Sequence, residues 1–538
     1  MALAPFFGRI HDSVGALAHV SSDELASLLL DVVVDVRIGA DCASPSGRSG
    51  ADLLIGLLAR LYPRLRLSCP QDLHDSLVEL ARTTNPALEL VDDVAGARNV
   101  VVVLGGAAAG GEDEAVRVTA TGWLVVVDGG SAGGGQDAAE LRPAATLTWQ
   151  AAACVAAAET FRAAFAIVLG EHGRRTRQPG QLNILNASSS DSECVTDLAG
   201  YVVPELHLAG AGAVGQAALL ALRDSGVSTT VVVVDPEQVE LSNLQRYVLS
   251  DLADVGRPKV DVAVERLAES AVTAVPVATR WGQDARSAPG RPVVLAALDS
   301  ARDRLGVAAG LHTRIYNAWT QPDDLGWSRH EQFGVEPCLA CLYLPRGQRP
   351  SEDEQIAQAV GQHRLRVLAY FVTDVPVGQP LPVVPVVGDV APPPDTDAWL
   401  VTSLLDDLVV AGRLEPEAAA QWAHVRIGKL YRDGICGAGL IEARPGLVER
   451  DVVVPLAHQS ALAGVMLATS VVAAHLPELR AHRSRVVEMR LDLRVGLPQW
   501  PARPRQRTPG CICSDADYVS TSVALGRDGA SAARSGTQ

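Results

Sequence analysis

Apolar runs of strand length alternate with helically spaced stretches through about the first 190 residues. LLLDVVVDVRIG (28–39) predicts a strand, DLLIGLLARLY (52–62) a helix, RLRLS (64–68) a short strand and NVVVVLGG (99–106) a buried strand, with a helix over 149–169 closing the unit. This is an α/β pattern. After a serine-rich stretch, NASSSDSE (186–193), a second α/β unit begins near Val203. Its strands are LHLAG (206–210), TTVVVVD (229–235) and RPVVLAALD (291–299), with a helix at 258–270 between the last two. From 346 to about 435 the pattern loosens, and VTDVPVGQPLPVVPVVGDVAPPPD (372–395) is dense enough in proline to predict an extended surface connection. Two amphipathic helices follow, near 398–412 and 415–427, and regular structure returns with VPLAHQSALAGVMLATSVVAAHL (454–476). The closing GRDGASAARSGTQ lacks apolar anchors, which predicts disorder.

A chain of 538 residues exceeds one ordinary core, so about two to four domains are expected. The net charge of −16 argues against a nucleic-acid surface, because a phosphate backbone is held by Lys and Arg. Lysine occurs only at Lys259 and Lys429; arginine supplies every other fixed cation. The start, MALAPFFGRIHDSV, has no basic region leading into a long apolar core, so no signal peptide is expected. AAACVAAAETFRAAFAIVLG (151–170) carries Glu159 and Arg162 mid-span, which predicts a buried amphipathic helix, not a membrane span. Nine cysteines without an export signal do not form a disulfide framework. A cytoplasmic, reduced protein without a membrane or nucleic-acid partner is the expectation.

Candidate chemistry begins in LHLAGAGAVGQ, where Gly210, Gly212 and Gly215 make G-x-G-x-x-G between a strand and a helix. Missing side chains let backbone N–H groups approach a phosphate at the helix N-terminus. Asp235 ends the next strand, 20 positions after Gly215, where an acid can accept from an adenosine ribose in NAD and ATP enzymes alike. The residues that follow separate the two. Asn243, Arg246 and Lys259 place an amide, a guanidinium and an ammonium just beyond that acid; a dehydrogenase has no need of them, whereas a triphosphate without a Walker-type loop does. No G-x-x-x-x-G-K-[ST] occurs. In the first unit, ADCASPSGRSGA (40–51) lacks the glycine spacing, so a nucleotide pocket there would be degenerate.

DPEQVELSNLQRYVLSDLADVGRPKV resembles the most specific motif of the ThiF/MoeB and ubiquitin-activating superfamily, whose members adenylate the C-terminal glycine of a ubiquitin-like protein. The likeness runs from about Leu206 to Leu344 and resumes around 430–515. It implies two Rossmann-like adenylation units forming a pseudo-dimer, the N-terminal one degenerate, with a crossover insertion bearing a catalytic cysteine and a structural zinc site. The implied division is an inactive adenylation-like domain at 1–190, an active ATP-binding domain at 191–345, a crossover region with helical insertion at 346–445, a return with the second zinc knuckle at 446–515, and a disordered tail at 516–538. Asn243, Arg246 and Lys259 are implied to contact ATP phosphates, the glycines and Asp235 to hold the phosphate turn and ribose, and Asp299 to bind Mg²⁺. Arg304 sits at the family's arginine spacing. Ser300 stands where asparagine is usual, and Asp303 is a second, weaker metal candidate. Arg37, Arg48 and Arg174 are candidates for an arginine reaching the triphosphate from the opposing half of a dimer or pseudo-dimer.

Cys338 and Cys341, in a C-x-x-C, and Cys511 and Cys513, in a C-x-C, supply four thiolates that can close a tetrahedral structural zinc site; pairing the two knuckles rests on the resemblance. Cys42, Cys69, Cys154 and Cys194 read as buried inert thiols. Cys436 differs, because Gly434, Gly437 and Gly439 leave it open to another chain's tail and Arg432 can lower its pKa, so it is the candidate nucleophile. His458 reads as a helix-start or core histidine.

The expected function is therefore ATP-dependent adenylation of a ubiquitin-like protein, then a thioester on Cys436 for transfer to a conjugating enzyme. The resemblance is nearest to bacterial members found in antiphage defence. A sulfur-carrier or peptide adenylyltransferase without the thioester step, and a noncatalytic scaffold, remain as alternatives, and a homodimer of the whole chain stays open.

Overall fold

The computed structural model describes residues 22–93, 97–106, 115–128, 142–166, 169, 179–321, 324–344, 352–383, 396–431, 456–493, 496–497 and 502–535. It separates into two compact units, 1–344 together with 454–538, and 345–453.

The first unit holds two sheets with the same strand order. In the first, β1 (Val32–Ile38) is flanked by β2 (Arg64–Ser68) and β4 (Arg98–Leu104), β3 (Glu89–Leu90) lies outside β2, and β5 (Val116–Thr121), β6 (Leu124–Asp128) and β7 (Gly180–Asn183) follow β4, giving 3-2-1-4-5-6-7. In the second, β8 (Leu206–Ala209), β9 (Thr229–Val234), β10 (Val272–Val277), β11 (Val293–Ala296), β12 (Arg314–Thr320), β13 (Leu325–His330), β14 (Glu488–Leu491) and β15 (Ala502–Arg503) run 10-9-8-11-12-13-14-15. Each is parallel through its first five strands and antiparallel after that. The strands are Val-rich because helices cover both faces of such sheets. The two halves of this first unit are thus copies of one doubly wound fold, each with its switch point between the first strand and the fourth.

The copies meet through helices. Thr146–Ala164 from the first and Ala457–His475 from the second are buried nearly throughout, and one hydrophobic core runs through both copies. Within the second copy, Ala457–His475 also seats tightly on the helix Ala213–Ser225: a Cβ at Gly464 would fall 2.5 Å from the Cβ of Ala217. Ala457–His475 is long and apolar enough to cross a membrane, yet 89% of that window is buried inside the protein. The expectation of an amphipathic helix around Glu159 and Arg162 is corrected. Both side chains are buried and pair with each other, so the helix needs no wet face.

Three further expectations change. LLLD, read as the start of a strand, belongs to the helix Ser22–Asp31, which buries Leu25 and Leu29 one turn apart. In the unit 345–453, helices Glu352–Val360 and Arg364–Thr373 precede Leu404–Val410 and Pro416–Trp422, around a core of Ile356, Val360, Leu365, Tyr370, Trp399, Leu404 and Leu408. The tail is not without order: a helix runs Ala516–Ser535, started by Asp515, whose carboxylate accepts from the N–H groups of Asp517 and Tyr518. It is anchored by Val519 and Leu525, which lie where side chains at Gly334 and Gly290 would otherwise reach.

Candidate active site

The G-x-G-x-x-G turn joins β8 to the helix Ala213–Ser225, and its glycines do different things. Gly210 has φ +96°, and a Cβ there would lie 2.5 Å from the Ala297 carbonyl oxygen, so strand β11 approaches too closely for any side chain. Gly215 presses on the Gly210 carbonyl. Gly212 caps the helix, and the nearest atom to a Cβ there would be the Tyr247 hydroxyl oxygen at 3.6 Å, which leaves the turn approachable from that side. In the first copy the equivalent place is filled. The turn after β1 is a tight helical turn, Ala40–Ala43, and the Asp41 carboxylate accepts from the Gly106 N–H at 3.1 Å. A carboxylate on that amide repels a phosphate, which is the physical content of a degenerate pocket.

Asp235 does more than end β9. One carboxylate oxygen accepts from Ala211 N at 2.7 Å, inside the glycine turn, and the other from Glu237 N at 2.8 Å. Burial pushes this carboxyl up; the Lys259 ammonium and the two N–H donors oppose that without cancelling it. Lys259, whose side chain is 4% exposed, donates to Glu237 Oε2 at 2.6 Å and lies 5.2 Å from the centroid of the Tyr247 ring. Burial works against its ammonium, but Tyr247, Asp235 and Glu237 outweigh burial and hold its pKa above the ordinary lysine value. It is charged throughout the neutral range.

The loop after β9 turns at Leu241–Asn243, where the Asn243 side-chain oxygen accepts from Glu240 N at 3.0 Å. That use leaves the carboxamide NH₂ as the group able to donate to a ligand. The Arg246 guanidinium carbon lies 5.8 Å from the Tyr247 ring centroid. Gln216, on the glycine-turn helix, accepts from Leu249 N at 3.2 Å and ties the far end of the loop down.

Ala296 stands opposite Ala209, so β8 and β11 release their chains at one edge and Asp299 emerges, exposed, beside the glycine turn. Ser300 caps the helix Ala301–Ala309 and donates to Asp303 at 2.7 Å, occupying that carboxylate. Arg304 is 3% exposed and donates to the carbonyls of Leu298 and Ala318, to Asn317 and to the Tyr343 hydroxyl, so it braces the strand end that carries Asp299. An open glycine turn, two nearby cations and an exposed carboxylate suit a magnesium-bound polyphosphate, since Mg²⁺ takes one or two protein carboxylates and completes its shell with phosphate oxygens and water.

Cys338, Cys341, Cys511 and Cys513 are all buried, with their sulfurs within 4.8 Å of one another and neighbouring pairs at 3.4, 3.4 and 4.0 Å. Four thiolates about 2.3 Å from a tetrahedral zinc sit about 3.8 Å apart, so the four fit one. The tighter C-x-C reaches because the helical turn Ile512–Ser514 brings both sulfurs inward.

Of the arginines considered for reaching across, Arg37 is bonded to Asp35 and Arg48 to Ser76, both within the first copy, and Arg174 lies outside the described residues. Cys436, with Arg432 and its flanking glycines, also lies outside them. His458 is a core histidine, its pKa pushed down to about 3 by burial. Sequence reasoning missed Tyr247, Glu237 and Gln216. Tyr247 directly follows Arg246, and an aromatic inside so polar a run is the one signal that pointed to it.

A glycine turn at the switch point, a buried acid ending the next strand and cations beyond it define a doubly wound mononucleotide fold by geometry. The chain belongs to the ThiF family, whose model matches residues 205–475. It is 31% identical to the uncharacterized protein y4jF of Sinorhizobium fredii (strain NBRC 101917 / NGR234), over 97% of this chain and 96% of that one. It is 40% identical over 65 residues to the sulfur carrier protein ThiS adenylyltransferase of Escherichia coli (strain K12), 12% of this chain and 26% of that enzyme. Among solved structures, the microcin C7 biosynthetic enzyme MccB in complex with N-formylated MccA matches at 20% identity and a TM-score of 0.24, over 28% of this chain and 45% of that one.

Proposed function

We propose that the protein adenylates the C-terminal carboxylate of a ubiquitin-like protein with ATP and then takes the acyl group onto Cys436 for transfer to a conjugating enzyme. The observation that carries the first step is the buried Lys259 ammonium, held between Asp235, Glu237 and the Tyr247 ring beside the open Gly212 turn. In this reading the turn's N–H groups, Asn243, Arg246 and Lys259 hold the triphosphate, and Asp235 accepts from the ribose. A partner carboxylate oxygen bonds to the α-phosphorus as the bond to the departing pyrophosphate breaks, and Lys259 and Arg246 offset the charge that develops. Magnesium held at Asp299 would neutralise phosphate charge when bound. The Cys436 thiolate then attacks the acyl carbon, the bond to AMP breaks, and a thioester remains. The support for this second step is the sequence around Cys436 alone. Zinc at the four cysteines would be structural, pinning the chain's end to the second copy.

The short match to the ThiS adenylyltransferase favours a second reading, in which the reaction stops at the adenylate or passes to sulfur transfer. The two separate on one experiment. With a ubiquitin-like β-grasp protein ending in glycine as partner, Cys436→Ala should keep ATP–pyrophosphate exchange and lose a nonreducing-gel thioester. Exchange in the wild type with no thioester supports the second reading; loss of exchange in the folded variant refutes the proposed division of labour. A neighbouring conjugating enzyme, in a bacterial defence setting, is the genomic context this reading expects.

A further inference from the structure

Arg60 lies at the end of the helix Pro45–Leu61 in the first copy, yet its guanidinium is spent in the second. It is 5% exposed. Its Nε donates to the Leu244 carbonyl at 3.0 Å, and one terminal nitrogen to the carbonyls of Tyr247 at 2.8 Å and Ser250 at 3.3 Å. The other terminal nitrogen donates to Gly56 O, in its own helix, at 2.6 Å. Burial lowers its pKa to about 10, with Asp251 opposing, so it stays charged at neutral pH. Among the described residues its direct partners are four carbonyls and no carboxylate. A buried guanidinium is costly unless its donors are satisfied, and here three of those bonds fix one short arc of backbone.

That arc carries one candidate phosphate contact, Arg246, and directly follows another, Asn243. Residues 244, 247 and 250 follow one another at the three-residue spacing that aligns groups on one side of a tight turn; Tyr247 bears the middle pinned carbonyl and Arg246 directly precedes it. The Tyr247 ring in turn faces Lys259 and its hydroxyl faces Gly212.

We propose that Arg60 is a positioning residue for the nucleotide site: the degenerate copy supplies a guanidinium that holds the 244–250 backbone so that Arg246 and Tyr247 stay against the glycine turn. This rests on the nucleotide reading above. The probe is MgATP itself, titrated calorimetrically into the full chain, with amide exchange of 244–250 followed by mass spectrometry. Arg60→Lys keeps the charge and loses the fork; it should weaken MgATP about tenfold or more and speed exchange in 244–250 but not in the helix Ala457–His475. Gly56→Ala is the gentler variant, because its new Cβ would lie 3.3 Å from an Arg60 terminal nitrogen and nothing else is close. Alanine favours the helix, so this variant should melt no lower than the wild type while binding MgATP about threefold more weakly. Arg82→Ala, at an exposed arginine of the helix Gln71–Thr84 in the same copy, should bind as the wild type does. If the wild type binds MgATP and both Arg60→Lys and Gly56→Ala bind it equally well, the inference is wrong and the nucleotide reading stands. If Arg60→Lys does not fold, Gly56→Ala alone decides. If the wild type does not bind MgATP, both fall.

Discussion

Replacing Lys259 with Met tests the electrostatic centre of the site, because the apolar stem is kept and only the ammonium is lost. Two carboxylates depend on that charge to different degrees. The Glu237 side chain is 69% exposed and returns to water, so its share is within about 1 kcal/mol. Asp235 is 6% exposed and keeps only its two N–H donors. Lys259 acts on Asp235 across space, its direct ion pair being with Glu237, so the loss falls below the about 3–5 kcal/mol of a broken buried pair and comes to roughly 1–2 kcal/mol at about pH 8. The pH dependence carries the stronger test. Burial already raises the Asp235 pKa, and Lys259 is the foremost group opposing that rise. Without it the folded pKa climbs further above the unfolded value, and each added unit corresponds to about 1.4 kcal/mol. A raised acid gives stability below its unfolded pKa and loses it as pH rises through the folded one. Thermal melts of both proteins should therefore lie closest near about pH 4, the range of the unfolded carboxyl, and separate measurably by about pH 8. MgATP affinity should fall at least about a hundredfold, since a positioned ammonium at a phosphate is lost along with its neighbours' geometry. A gap that stays constant from about pH 4 to 8, or a variant that binds MgATP like the wild type, would refute this account.

The glycines should separate folding from binding. Gly215→Ala drives a Cβ into the Gly210 carbonyl and should lower the melting temperature markedly, whereas Gly212→Ala, whose Cβ meets only ordinary contact, should melt within about 0.5 kcal/mol of wild type. Calorimetry on the latter should nevertheless show MgATP weakened about tenfold, because the new methyl stands where phosphate oxygens approach. Elemental analysis should find one zinc per chain; Cys513→Ser should lose it and melt lower, and a protein that carries no metal yet matches the wild type's stability would count against the structural zinc site.

The second copy was readable because its constraints are local. Gly210 and Gly215 are required by backbone approach within a single turn, and Asp235 follows at the length of one helix and strand, so spacing alone carries them. What escaped depends on contacts far apart in the chain. Asp41 fills the first turn only because β4 brings the Gly106 N–H beside it. Arg60, an ordinary basic residue near a helix end, acquires its role from carbonyls more than 180 positions later. The last helix depends on anchors against Gly290 and Gly334, which no local pattern in GRDGASAARSGTQ announces.

The retention of a copy whose anion site is closed follows from where the interface lies. Leu462, Val465, Met466, Leu467, Val471 and Val472 of the helix Ala457–His475 are each at most 1% exposed, within a core shared by both copies. Burying each such side chain is worth about 1.5–3 kcal/mol, so this helix alone contributes on the order of 10 kcal/mol, comparable with the whole net stability of a typical domain, about 5–15 kcal/mol. Even if only part of that burial depends on the other copy, a single copy would lose a large fraction of its stability and present a wide apolar face to water. Interface helices are therefore constrained in both copies, while the turn after β1 is not: Asp41 can close it without disturbing Thr146–Ala164 or Ala457–His475. Chemistry needs one open turn; folding needs two sheets. Ser49 and Gln150 from the first copy, both donating to Asp224 in the second at 2.6 and 3.1 Å, fix the register between them, and Arg60 extends that register into the loop where the ligand would be held.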